Sequence, residues 1–136
     1  MNVSSYFSKH ELECKCGCGV AEMDAGFLKK LDQLRDDWGK PIILNSAYRC
    51  PDHNEAVSST KSRTGAHTTG KAADLRVSRK DCYEVMKLAF MLNFTGIGVA
   101  QKGSDRFLHL DTLTPLDSGI RPTVWSDSCY THYYLL

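Results

Sequence analysis

Hydrophobic residues recur at helical spacing in two stretches of the chain, and each stretch has the boundary residues of a helix. In the first, Asp24 is a favourable N-cap residue and Gly39 ends the run. In the second, Ser78 is a suitable N-cap residue. The residues at helical spacing are Phe27, Leu28, Leu31, Leu34, Arg35 and Trp38 in the first stretch, and Cys82, Val85, Met86, Ala89, Phe90 and Leu92 in the second. This pattern predicts two amphipathic helices.

Four shorter runs indicate strands, and they cover residues 41–46, 72–77, 96–100 and 106–112. Turn residues separate the last two runs, which predicts a hairpin. Residues 50–70 are rich in Ser, Thr, Gly and Pro, and we expect a long functional loop there. Two helices and four strands in this order predict an α+β fold, in which a small antiparallel sheet is flanked by helices. The length of the chain predicts a single domain over residues 1–136.

The charge balance argues against nucleic-acid and membrane partners. The 136 residues include 17 Lys and Arg against 16 Asp and Glu, a net charge of +1, which provides no basic surface for either partner. No segment reaches the apolar length of a membrane span. The first residues lack the apolar stretch of a signal peptide. We therefore expect a monomer that is made in a cytoplasm.

Cysteines are numerous for a chain of this length, and they are Cys14, Cys16, Cys18, Cys50, Cys82 and Cys129. The first three lie in residues 8–20, a Gly-rich segment that predicts a loop or a short hairpin. Without a signal peptide, reduced thiols packed under this loop are the simplest interpretation. Two alternatives stay open: a disulfide from Cys14 or Cys18 to Cys50 after release into an oxidising space, and a structural zinc site completed by Cys50 or His10. The helical position of Cys82 predicts a small core residue.

Two histidines and one aspartate carry the candidate chemistry. His67 ends the Gly-rich loop and Asp74 lies in the strand that follows, while Gly70 between them permits a tight turn. His109 lies in another strand, where it shares a face with Asp111. Two neutral imidazoles and one carboxylate are the protein ligands of a catalytic zinc site, with the fourth position open for water. The pattern therefore predicts metal-assisted hydrolysis.

Five blocks of the chain resemble peptidase family M15, the zinc D-alanyl-D-alanine carboxypeptidases and peptidoglycan endopeptidases, and in particular its short phage-type lytic members. The resemblance covers nearly the whole chain, and the order and spacing of the blocks make it specific. The matching stretches are Phe7-Ser-Lys-His-Glu-Leu-Glu-Cys-Lys-Cys-Gly-Cys-Gly19, Lys40-Pro-Ile-Ile-Leu-Asn-Ser-Ala-Tyr-Arg-Cys-Pro51, Gly65-Ala-His-Thr-Thr-Gly-Lys-Ala-Ala-Asp74, Gly96-Ile-Gly98 with Arg106-Phe-Leu-His-Leu-Asp111, and Arg121-Pro-Thr-Val-Trp125.

The resemblance implies a zinc ion held by His67, Asp74 and His109, and a substrate role for Arg49. A guanidinium grips a carbonyl or carboxylate with a planar fork, and it also stabilises an oxyanion. Ser46 is expected to orient Arg49 or the substrate, or else to cap a turn. The implied substrate is the stem peptide of bacterial peptidoglycan, cleaved at the L-Ala–D-Glu bond or at a bond of D-Ala. A single short domain without a signal peptide fits a phage endolysin that reaches the cell wall after release.

The residue at the position of the general base differs from the better-known family pattern. Many members carry an acidic residue three positions before the second zinc histidine, and here that position is Arg106. We expect Asp111 to act as the base, with Asp105 as the alternative, although Asp111 also suits a partner that orients a ligand histidine. Arg106 motivates a second function, a non-catalytic zinc-containing wall-binding or virion module. A metal-dependent nuclease is disfavoured because the chain lacks the extra carboxylates and the basic surface.

Overall fold

The computed structural model describes residues 4–127. These residues contain five α-helices, five strands and one short 3₁₀ helix. Cys129 lies outside the described residues. The helices are α1 (Lys9–Leu12), α2 (Ala25–Trp38), α3 (Pro51–Val57), α4 (Arg79–Met91) and α5 (Pro115–Ser118), and the 3₁₀ helix is Ala66–Thr69. The strands are β1 (Leu44–Ser46), β2 (Ala72–Leu75), β3 (Gly96–Ala100), β4 (Phe107–Asp111) and β5 (Thr123–Ser126).

The strands form one sheet in the order β1-β2-β4-β3-β5. The first three pairings in this order are antiparallel, and they include the predicted hairpin of β3 and β4. The α+β prediction is confirmed. The expectation of a purely antiparallel sheet is wrong at one edge, because β5 pairs with β3 in parallel. A four-residue strand with no buried residue carries no hydrophobic pattern, so its presence and direction were not predictable from periodicity.

The two long helices lie where the hydrophobic spacing predicts them. Asp24 caps α2 by accepting a hydrogen bond from the Phe27 amide, and Gly39 ends the helix in the left-handed conformation at φ 76°. Ser78 precedes α4 without a side-chain capping bond. The helix buries Cys82, as predicted for a small core residue. Among the described residues, no helix is both long enough and apolar enough to cross a membrane.

The segment of residues 50–70 is not a continuous loop. It contains α3 and the 3₁₀ helix, so the expectation of a long loop is wrong over more than half of its length. Pro51 occupies the first turn of α3, where its missing N–H costs nothing, and the Cys50 sulfur accepts the His53 amide as a cap. Only Asn54 of this helix is buried. A seven-residue helix with no apolar face has no hydrophobic periodicity to detect.

The two faces of the sheet have different chemistry. Alternate residues of β2, β3 and β4 point towards the core that α2 and α4 cover, and these are Ala73, Leu75, Ile97, Leu108 and Leu110. The opposite face carries the polar side chains of Asp74, His109 and Asp111, all of which are buried. The apolar face therefore anchors the sheet on the helices, and the other face holds the candidate site.

Candidate metal centre

The three residues predicted as zinc ligands lie together on the polar face of the sheet. Asp74 of β2 and His109 of β4 are direct cross-strand neighbours, so strand register alone brings their side chains together. His67 reaches them from the 3₁₀ helix that precedes β2. One ligand atom from each residue lies within 4.8 Å of the others. The described residues thus contain a buried group of two imidazoles and one carboxylate.

The ring nitrogens are oriented for metal binding. The Nδ1–H of His67 donates to the Ala47 carbonyl at 2.7 Å. In the neutral ring this bond makes Nε2, which lies 3.3 Å from Asp74 Oδ1, the nitrogen that can bind a metal. His109 Nδ1 lies 3.0 Å from the same oxygen. Ligand atoms of a tetrahedral zinc site at ordinary Zn–N and Zn–O lengths are about 3.3 Å apart. The donor types and the two distances fit a zinc ion, and the three residues leave one tetrahedral position open.

The second ring nitrogen of His109 has a partner of its own. Nε2–H donates to Asp111 Oδ2 at 2.8 Å. Arg121 grips the same carboxylate with two bonds, Nε to Oδ1 at 3.0 Å and Nη2 to Oδ2 at 2.8 Å, and the Leu113 amide donates to Oδ1. Metal-binding histidines generally donate their other N–H to such a carboxylate, which fixes the tautomer and the ring orientation. Asp111 is in the place of that partner.

The pKa values of this group are strongly displaced. Burial disfavours the charge of Asp74, but the adjacent His67 and His109 outweigh it and hold the pKa of Asp74 well below its usual range. Burial likewise opposes the charge of His109, yet bonds to Asp111 and Asp74 raise its pKa to about 9. For Asp111, bonds from His109 and Arg121 overcome burial and lower the pKa to about 2. Both carboxylates are therefore ionised at neutral pH.

Two glycines of β3 make room for the site. Gly96 pairs with Asp111 and Gly98 pairs with His109. A β-carbon at position 96 would lie 2.2 Å from Asp111 Oδ1, and one at position 98 would lie 2.6 Å from Asp127 Oδ2 and 2.7 Å from the Trp125 ring. Steric crowding thus explains the glycines at positions 96 and 98, because side chains of β4 and of the end of β5 occupy the space above them.

Gly70 fixes the turn that returns the chain from His67 to β2. It has a φ of +77°, and a β-carbon there would lie 2.2 Å from the Glu22 carbonyl oxygen. The Gly70 carbonyl accepts the Asp24 amide at 2.9 Å, which ties the turn to the start of α2. The predicted role of Gly70 as a tight-turn residue agrees with this conformation.

Arg49 lies beside the aspartate ligand. Its Nη2 is 3.6 Å from Asp74 Oδ2, its Nε donates to Ser46 Oγ at 3.3 Å and its Nη1 donates to Asn54 Oδ1 at 3.2 Å. Asn54 is itself held by the Ser62 carbonyl. Ser46 is buried and contacts the guanidinium, so the geometry favours its predicted role of orienting Arg49. The cluster of predicted residues is thus continuous.

A cavity of about 810 Å³ opens over this cluster. Arg49, His67, Asp74 and His109 contribute to its wall, and sequence reasoning assigned no role to the further residues Trp125 and Asp127. The Trp125 ring centroid lies 5.2 Å from that of His109. Among the described residues that line the cavity, Asp74 and Asp127 carry the carboxylates. The site is therefore accessible to a ligand on one side.

The two other charged candidates lie elsewhere. Asp105 and Arg106 line a different cavity of about 950 Å³, and Arg106 Nε donates to the Gly103 carbonyl at 2.7 Å. The structure therefore does not bring Asp105, the alternative base, to the candidate metal centre. Asp127 was missed because it follows a strand without a hydrophobic pattern. Its place two residues after Trp125, the end of the last family-like block, is the signal that would have found it.

The comparison with protein families agrees with this geometry. The model of a family described as Peptidase M15 matches residues 5–111. The chain belongs to peptidase family M15. Enzymes of this family are zinc-dependent peptidases, and the prediction of the family is confirmed. No curated protein matches the chain.

Membership of the M15 family accounts for the class of site. The matched residues include His67, Asp74 and His109, and the match ends at Asp111. This M15 chain therefore extends its site beyond the matched residues, since Arg121 holds Asp111 and both Trp125 and Asp127 line the cavity.

Proposed function

We propose that this M15 peptidase is a zinc-dependent peptidoglycan hydrolase that cleaves a stem-peptide bond and serves as a phage lytic enzyme. The observation that carries the proposal is the group of His67 Nε2, Asp74 Oδ1 and His109 Nδ1, whose separations of 3.3 and 3.0 Å suit zinc. The group borders an open cavity, where a substrate has access. When bound there, zinc supplies Lewis acidity that activates water and polarises a carbonyl group.

Arg49 is proposed to hold the substrate. Its guanidinium is positioned by Ser46 and Asn54 and lines the cavity next to Asp74. Stem peptides carry carboxylate groups on D-Glu and on the terminal D-Ala, and a planar guanidinium binds such groups with two parallel bonds. The same donors also suit the oxyanion that forms when a peptide carbonyl is attacked. Both the L-Ala–D-Glu bond and a D-Ala bond fit this arrangement.

Asp111 is proposed to position His109 rather than to accept protons. The carboxylate is fully buried, and it already accepts bonds from His109, Arg121 and Leu113. The Arg121 Cζ atom also lies 5.0 Å from the centroid of the Trp125 ring. This cation–π contact holds the guanidinium that binds Asp111. An ionised group with all these donors is a poor base for water that enters from the cavity. Of the two roles expected for Asp111, the geometry favours the orienting one.

Asp127 is proposed as the general base in its place. It is half-buried and lines the cavity, and its carboxylate lies over Gly98, the cross-strand neighbour of His109. The backbone of Asp127 is held by the bond from its amide to the Val99 carbonyl at 2.8 Å. A carboxylate in the wall of the cavity that the candidate ligands share can take a proton from an attacking water.

The experiment that tests this function is mass spectrometry of purified peptidoglycan after incubation with the protein. We expect new stem-peptide ends that disappear with a chelator and return when zinc is restored, and the masses identify the bond. Intact stem peptides across several wall types, from protein shown to contain zinc, would contradict the proposal. They would favour the wall-binding or virion module that Arg106 suggested.

A further inference from the structure

A second group of metal-binding side chains lies apart from the candidate catalytic centre. The Sγ atoms of Cys14, Cys16, Cys18 and Cys50 all lie within 4.8 Å of one another. We propose that this four-cysteine cluster binds a structural zinc ion that fastens the N-terminal segment to the start of α3. This site is independent of the proposed hydrolysis.

The sulfur separations fit a tetrahedral thiolate site. Cys50 Sγ lies 3.7 Å from Cys14 Sγ and 3.7 Å from Cys16 Sγ. Four sulfurs at the ordinary Zn–S length of a tetrahedral site are about 3.8 Å apart. A disulfide instead requires two sulfurs at about 2.05 Å. Because Cys50 Sγ is equally far from the sulfurs of Cys14 and Cys16, the arrangement suits several thiolates around one metal ion better than a bond between two of them.

The local chain conformation explains how three alternate cysteines converge. Residues 15–18 form a tight turn, in which Gly17 has a φ of +90° and its amide bonds to the Cys14 carbonyl. The Cys14 amide donates to the Val20 carbonyl at 2.8 Å and closes the loop. In an extended strand, alternate side chains share a face but stay about 7 Å apart, so the turn is needed to gather the sulfurs. Glycine at the positive φ is what permits it.

The fourth sulfur comes from the start of α3, and backbone amides donate hydrogen bonds to two sulfurs of the cluster. The Cys50 amide donates to Cys14 Sγ at 3.3 Å, and the His53 amide donates to Cys50 Sγ at 3.4 Å. N–H donors of this kind stabilise the negative charge that thiolates carry when they bind a metal. Thiolates are the ligands that zinc takes in structural sites, and each cysteine releases its proton to solvent on binding.

The cluster has a defined mechanical role. Four protein ligands leave no open position, which is the signature of a structural rather than a catalytic zinc. Cys50 directly follows Arg49, and the neighbouring Tyr48 amide donates to the Leu12 carbonyl at 3.1 Å. A zinc ion on the four sulfurs therefore links the segment after α1 to the stretch of chain that carries Arg49.

The test replaces zinc with Co²⁺ in the reduced full-length protein and records its visible and near-ultraviolet absorption. We expect intense thiolate-to-cobalt charge transfer and tetrahedral d–d bands in the wild-type protein. Cys16→Ser and Cys18→Ser should weaken these bands strongly, whereas Cys82→Ser, which changes a buried cysteine outside the cluster, should leave them intact. His67→Ala should keep the thiolate bands and bind one Co²⁺ fewer per chain, which separates this site from the proposed catalytic one.

Three results would overturn the proposal, and none of them depends on a variant that folds. The first is wild-type protein that takes up cobalt without thiolate charge transfer. The second is rapid reaction of all four thiols with a thiol reagent while two zinc ions per chain remain bound. The third is an intact mass lower by two hydrogens, with a crosslinked peptide that joins two of these cysteines, from protein handled under reducing conditions.

Discussion

The chain places two groups of side chains that could hold a metal ion in very different surroundings. His67, Asp74 and His109 extend from or beside paired strands, and their three ligand atoms face a cavity. The four-cysteine cluster is formed by a tight turn and a helix start, and all four of its ligands come from the protein. Ligand number and scaffold distinguish the two groups: three ligand atoms at paired strands and the adjoining 3₁₀ helix leave room for a substrate, whereas four sulfurs at a tight turn and a helix start do not.

The surroundings of the two groups differ in charge as well. The histidine-containing centre is enclosed by ionised side chains, with Arg49 beside Asp74, and with Asp111 and Arg121 behind His109. The cysteine cluster receives backbone amide bonds at Cys14 and Cys50. Ionised neighbours tune reactivity and position ligands, whereas amide donors stabilise the negative charge of thiolates by hydrogen bonding.

Replacing a proposed ligand of the candidate metal centre should have the largest effect. His67→Ala removes one of three ligand atoms, so we expect hydrolysis of stem peptides to fall to the assay background and one zinc per chain to be lost. Metal analysis and product mass spectrometry measure the two effects. His10→Ala is the matched control, because that side chain is exposed and pairs only with Glu13 among the described residues. Wild-type turnover by His67→Ala would refute the site.

Removing the proposed base should lower turnover while zinc stays bound. For Asp127→Asn we expect kcat to fall by about a hundredfold or more, since the substitution keeps the shape of the side chain and removes its basicity. Steady-state kinetics at saturating zinc measures this effect. Asp105→Asn is the control, because Asp105 lines the other cavity. Unchanged kcat in the Asp127 variant would exclude Asp127 as the base.

Asp111→Asn should weaken zinc binding more than it alters the chemical step. Loss of the charged partner of His109 is expected to reduce zinc affinity by about 10- to 100-fold, measured by competition with a fluorescent chelator. Excess zinc should then restore most of the activity. If turnover is abolished even with zinc fully bound and the fold intact by circular dichroism, Asp111 acts in proton transfer and the assignment to Asp127 fails.

The smallest effect is expected at Ser46. Ser46→Ala removes the hydroxyl that accepts from Arg49 Nε, and the loss of one such bond is worth about 1 kcal/mol, or about fivefold in kcat/KM. Zinc content should not change. Ser78→Ala is a matched control, because Ser78 makes no side-chain capping bond and lies outside the candidate site. A loss of zinc in Ser46→Ala would mean that this residue supports the metal instead of Arg49.

Much of the fold was predictable where local pattern and tertiary packing agree. The apolar spacing between Asp24 and Gly39 marks α2, and both boundary residues adopt the expected cap geometry. The run of Gly96–Ala100 matches β3 residue for residue. These elements bury one continuous apolar face, so their sequences carry the period of the structure. In such elements, the residues that create the sequence pattern are the residues that form the core.

The rest depends on contacts between residues far apart in the chain. Arg121 meets Asp111 only because β5 returns beside β3, and the half-exposed Val124 and its neighbours show no pattern that predicts this pairing. For the same reason, the family-like block from Arg121 to Trp125 indicates no role for Arg121. The convergence of Cys16 with Cys50 likewise needs the turn at Gly17. Periodicity identifies elements, but it does not state which side chains those elements bring together.

The most direct test of the central claim is anomalous X-ray diffraction at the zinc absorption edge, from crystals of protein that hydrolyses stem peptides. We expect a strong anomalous peak bounded by His67 Nε2, Asp74 Oδ1 and His109 Nδ1. Crystals of active protein with no zinc at these three atoms would contradict the account, because the hydrolysis would then have another origin.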